Sequence, residues 1–179
     1  MSLKWIRLAA FVAAWAAMAA QAADSFWVQV PATLDPSAPI GEGVRRECSV
    51  EQLVGNHVFQ SVSERLPGAR ALAQVDQAGA DPLLKLTIFT VYGAGGGGWS
   101  GPKSMMIRAD LTLNGEVSAT KVFRRQSSGG AFGGLTGTCP IMERIAIALG
   151  KDVAGWMAGV PLPKAAAAAS AAEAASSSR

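Results

Sequence analysis

Within "MMIRADLTL", from Met105 to Leu113, apolar and polar residues alternate from Ile107 onward. Met105, Ile107, Ala109, Leu111 and Leu113 share one side, while Met106, Arg108, Asp110 and Thr112 share the other. Successive strand side chains point to opposite faces, so a period of two predicts a half-buried strand. Asn114-Gly115 follows it. That dipeptide suits the two left-handed positions of a type I′ turn, which predicts a hairpin onto a second strand over 116–125. Upstream, "LLKLTIFTVY" puts Leu84, Leu86 and Ile88 on one face and is rich in strand formers. "FWVQV" from Phe26 and the stretch from Leu72 to Val75 are shorter strand candidates.

In two places the period lengthens to that of a helix. Ser49 with Gln52 forms a capping-box pattern. Val50, Leu53, Val54, Val58, Val62 and Leu66 then fall on one face, and Pro67-Gly68 stops the run. Near the other end, Pro140 suits the first turn of a helix, where its missing N–H is not needed. Ile141, Ile145, Ala148, Leu149, Val153 and Trp156 supply the apolar face there.

The element order is therefore β-α-β-β-β-β-α. It predicts an α+β two-layer sandwich: a mostly antiparallel sheet of about five strands with two helices on one face. Lys85, Thr87, Arg108, Asp110 and Thr112 mark the opposite face as wet.

Both ends differ from this pattern. Lys4 and Arg7 precede an apolar run from Leu8 to Ala20, and Ala20-Gln21-Ala22 has small residues at cleavage-site spacing. That three-part layout predicts a secretory signal over 1–22. The apolar run is short for a membrane span of about 20 residues, so no stable membrane insertion is expected after cleavage. "KAAAAASAAEAASSSR" from Lys164 is low-complexity, and with the preceding prolines it predicts a disordered tail over 161–179. A single domain over 24–160 remains.

Without Lys4 and Arg7 the formal charge of +3 falls to +1, which gives no global case for a nucleic-acid partner. Export also changes the reading of the two cysteines, Cys48 and Cys139. Oxidising compartments favour pairing, and two thiols allow one connectivity. Each cysteine stands at a predicted helix start, so parallel helices on one sheet face would make them neighbours. The alternative is a pair of reactive thiols whose pKa values are lowered by helix dipoles.

"VYGAGGGGWSGPKS", from Val91 to Ser104, comes close to a phosphate cradle, with Gly96, Gly101, Lys103 and Ser104 at suggestive spacing. Such a loop needs Gly-Lys-Ser in direct succession at the start of a helix. Here Pro102 intervenes, donates no N–H, and a strand follows. The stretch instead predicts a mobile hairpin tip. Trp99 at that tip either tucks back on the sheet or serves as an exposed anchor for a partner. A second glycine-rich connection, "QSSGGAFGGLTGT", carries Phe132.

Catalytic chemistry is thinly represented. His57 is the only histidine and sits beside an apolar helix face. A histidine-based metal site needs more ligands, the aspartates lack calcium-loop spacing, and no G-x-S-x-G occurs. The sequence predicts neither cofactor nor metal, and no enzyme. Two basic doublets, Arg45-Arg46 and Arg124-Arg125, are solvated faces on the simplest reading. If they lie together at one end, they form a positive patch with Lys103 that suits an acidic partner.

The succession of "VFQSVSERL", "ADPLLKLTI", a glycine-rich tip, "RADLTLNGEV" and a closing amphipathic helix resembles small bacterial envelope domains. The resemblance is to secreted proteins near the penicillin-binding-protein activator lipoproteins and the amino-terminal domain of the Tol-system propeller protein, over residues 26–157. The activators are lipid-anchored, whereas this chain has no cysteine directly after its apolar leader. The resemblance implies a non-enzymatic periplasmic protein-binding or accessory module of the bacterial cell envelope, with an envelope protein as partner. Two other functions remain open: an inhibitor that blocks a secreted hydrolase through the Trp99 loop, and a hydrolase with an unrecognised site. Candidate partner-binding residues are Trp99, Lys103, Arg45, Arg46, Arg124 and Arg125.

Overall fold

The computed structural model describes residues 25–94, 96–128 and 135–162. The expected leader, all but the first two residues of the expected tail, and Phe132 lie outside them. In chain order the elements are β1 (Phe26–Gln29), β2 (Thr33–Leu34), a short α1 (Glu42–Glu47), α2 (Val50–Arg65) and β3 (Ala69–Leu72). They continue with β4 (Leu83–Tyr92), β5 (Lys103–Leu113), β6 (Glu116–Ser127) and α3 (Thr138–Met157). One sheet runs β3-β1-β4-β5-β6, with β2 also on β4. The two long helices pack side by side against it, giving the expected α+β sandwich.

The alternation that predicted the central strands decides their burial. Leu84, Leu86, Ile88, Met105, Ile107, Ala109 and Leu111 are fully buried beneath the helices. Asn114 (φ 52°) and Gly115 (φ 81°) make the β5–β6 turn, with both central residues left-handed. Two bulges, at Phe89 in β4 and Ser118 in β6, interrupt the ladders.

The sheet is mixed. Its two antiparallel ladders, β4–β5 and β5–β6, are long, but β1–β3, β1–β4 and β2–β4 are short parallel ones. β1 and β2 lie one after the other along the same flank of β4. β1 reaches Leu84, β2 begins opposite Thr87, and Ile40 bridges to Val91 further on. In the gap, Gln29 replaces a strand: its Oε1 accepts the Leu86 N–H at 3.0 Å and its Nε2 donates to Thr33 Oγ1 at 2.5 Å. The strand expected over Leu72–Val75 lies instead at Ala69–Leu72, where Ala69 pairs with Phe26, and a 3-10 turn occupies Val75–Ala78.

Helix α2 buries Val50, Val54, Val58 and Val62, as its period requires. Ser49 is the N-cap, but its side chain makes no capping bond, and Gln52 turns to Asn56 Oδ1 at 2.9 Å. Helix α3 buries Ile141, Ile145, Leu149 and Val153, and additionally Met142, Ala146, Gly150 and Ala154. The extra residues face α2. At Gly150 a Cβ would stand 2.4 Å from the carbonyl oxygen of His57, so the absent side chain is what lets the helices close.

Cys48 and Cys139 are joined, with Cα atoms 5.3 Å apart and a sequence separation of 91. The bond ties the start of α2 to the start of α3. A closed loop of that length stabilises by about 4–5 kcal/mol on the chain-entropy model.

Candidate functional site

The hairpin between β4 and β5 closes in a 3-10 turn at Gly97–Ser100, entered through Gly96 and left through Gly101, both at φ 88°. Lys103 builds its base. The residue is completely buried, and its ammonium donates to Ser100 Oγ (2.7 Å) and to the Gly101 carbonyl (2.9 Å). Burial disfavours the charged form and holds the Lys103 pKa below the ordinary lysine value. The stem of Lys103 lies over Gly93, where a Cβ would be only 2.2 Å from Cδ. Ser100 Oγ donates to the Ala94 carbonyl, and the Gly98 N–H donates to the Thr136 carbonyl at 2.9 Å. The tip read from its glycines as a loose connection is thus tied both to its own base and to the second glycine-rich segment.

On this support Trp99 projects outward at 81% exposure. Leu135, next to the residue that receives the Gly98 N–H, is 82% exposed, and Tyr92 at the end of β4 is 68% exposed. Three large apolar side chains therefore stand in water on the segments that meet at this end of the domain.

Of the two basic doublets, one stands at this end, since α1 starts where Gly41 packs against the Gly93 carbonyl. Arg45 and Arg46 belong to α1, which ends at the disulfide-bonded Cys48 and so lies by the start of α3. Arg125 instead reaches Asp152, fourteen residues into α3 from Thr138, with Nε and Nη2 bonding its two carboxylate oxygens at 2.5 Å each. About 20 Å of helix separates the two anchor points. Lys103 is buried and pairs with Ser127, two positions along β6 from Arg125, so it adds no exposed charge to either doublet. The Asp152 carboxylate, by hydrogen bond and charge, raises the Arg125 pKa above its ordinary value.

Arg124 and Arg125 nevertheless sit on a feature that was not legible in the sequence. An open groove of about 520 Å³ runs between β6 and the later turns of α3. Its walls carry Lys121, Arg124, Arg125 and Lys151 against a single carboxylate, Asp152. Phe123 and Trp156 line it as well, in edge contact with centroids 6.0 Å apart, and the Lys121 ammonium lies 5.5 Å from the Phe123 ring centroid. Lys121 and Lys151 are thirty residues apart, so no local motif announces the cluster.

His57 occupies the boundary between the helices, with Nε2 3.5 Å from Glu143 Oε1. Among the described residues no group of three or more His, Cys, Asp or Glu side chains is placed to hold a metal, and no helix is long and apolar enough to cross a membrane.

No protein-family model and no curated protein matches the sequence. Among solved structures, the chain is similar to the PelC dodecamer subunit of Paraburkholderia phytofirmans, at 12% identity and a TM-score of 0.48, over 73% of this chain and 84% of that one. It is also similar to a protein of the DUF330 family model from Xanthomonas campestris, at 13% identity and a TM-score of 0.47, over 74% of this chain and 83% of that one.

Proposed function

We propose that this chain is a non-enzymatic protein-binding module of the bacterial cell envelope, exported to the periplasm or beyond, which captures a partner protein through the Trp99 tip. One observation carries the reading: a tryptophan at 81% exposure on a turn pinned from beneath by a buried lysine. Large aromatics concentrate binding energy, and a pre-shaped support lowers the ordering cost of using one. The leader-like pattern before Asp24 and the Cys48–Cys139 bond support export. The order of elements, which resembles the activator and Tol-propeller group, supports an envelope role.

Capture from periplasmic extract tests it. Trp99→Ala should weaken retention of a specific partner by about thirtyfold, the loss typical of a hot-spot anchor of about 2 kcal/mol. Removing 94–101 should abolish it. Undiminished capture by both variants would eliminate the tip as the binding site. A tight one-to-one complex with a secreted hydrolase, inhibited on binding, would identify the partner class as an enzyme under control.

A further inference from the structure

We propose that the groove between β6 and α3 takes an acidic peptide in extended form, added as a strand beside β6. This goes beyond the tip reading and does not depend on it. β6 is twelve residues long and, among the described residues, pairs with β5 on one side only, so its other edge is open there to a further strand. An added strand gains main-chain hydrogen bonds, and its side chains meet those of β6 on each face alternately.

The charges at this edge straddle the sheet. Lys121 and Arg125 belong to the face covered by α3, where Lys151 joins them in the same groove. Arg124 belongs to the opposite face, beside Val122, which is 51% exposed. Among the described residues neither Arg124 nor Lys151 has an ion-pair partner. Lysines along an edge also discourage unwanted pairing. Here, however, Lys121 is drawn over Phe123 and Arg125 over α3, which leaves the backbone edge uncovered by its own cations. Four cations against one carboxylate select for acid. The period of a strand sets the spacing: acidic side chains at alternate positions would face Lys121, Lys151 and Arg125, and an apolar residue between them would cover Val122.

The test is a titration of the full, oxidised chain with a fluorescent peptide of about eight alternating Glu and Val residues. Anisotropy is read at about 20 mM and about 0.5 M salt. Saturable binding that collapses at high salt is expected, as is its loss when Gln replaces every Glu. Arg124→Glu combined with Lys151→Glu, both exposed positions, should weaken binding at least about tenfold. Two peptides, N-methylated at the odd or at the even residues, keep every charge; the one methylated at the donors facing β6 should weaken at least about tenfold and the other should bind unchanged. Equal binding by the Gln peptide, or by the double variant, overturns the acidic specificity. Equal binding by both N-methylated peptides overturns strand addition. Trp99→Ala should leave this titration unchanged, so failure at the groove and failure at the tip read out separately.

Discussion

Replacing Gly150 by alanine tests the helix pairing that supports the whole sheet. Alanine normally improves a helix interior over glycine by about 1 kcal/mol. At Gly150 the new methyl would lie 2.4 Å from the His57 carbonyl oxygen, 2.9 Å from its carbon and 2.9 Å from Ser61 Oγ. An ordinary carbon–oxygen contact is about 3.3 Å, so the shortfall is about 0.9 Å. The obstructing atoms are mostly backbone and cannot rotate away, which forces α3 off α2. Overpacking of this kind costs about 1–3 kcal/mol, more than the gain in helix propensity. Gly155 provides a control in the same helix: it is exposed, and a Cβ there meets nothing within 4 Å. Gly155→Ala should therefore stabilise by about 0.5–1 kcal/mol. In urea denaturation of the oxidised protein, the two variants should move the midpoint in opposite directions with the slope unchanged, and differ by about 2 kcal/mol. A Gly150→Ala protein as stable as Gly155→Ala would refute the close contact between the helices.

Two further changes probe the sheet and its surroundings. Gln29→Leu keeps the volume but leaves the buried Leu86 N–H without its acceptor, so urea denaturation should show a loss of about 1–3 kcal/mol; an unchanged midpoint would mean that Gln29 does not bridge the gap. Asp35 accepts the Ser37 hydroxyl (2.6 Å) and N–H (2.8 Å), and these bonds hold its pKa below the ordinary carboxylate value. Its contribution to stability is accordingly present above the unfolded pKa and lost as pH falls through the folded one. Ser37→Ala should raise the Asp35 pKa part of the way back, read by carboxyl chemical shift against pH, and an unmoved titration would contradict the assignment.

Wherever a local period carried the structural signal, the sequence was informative. Alternation along β5, the Asn-Gly turn and the two apolar helix faces predicted elements whose burial follows from spacing alone. The disulfide was legible because two cysteines stood at two helix starts. The parallel strands were not, because β1 and β2 have only four and two residues and owe their pairing to β4. Lys103 was read as a surface cation, since nothing in its neighbours shows that its stem will lie on Gly93. The groove escaped for a related reason: its charges come from β6 and α3, and only the packing of one on the other brings them together.

The two borders of the sheet are unequal, twelve residues in β6 against four in β3. A head-to-tail filament needs each subunit's leading border to match the next one's trailing border, and a short parallel strand cannot saturate a long ribbon. Two copies could join long border to long border across a two-fold axis, but that union closes on itself. Among the described residues the sheet thus offers one long border and one short one, and repeated head-to-tail stacking of copies is disfavoured by that inequality alone.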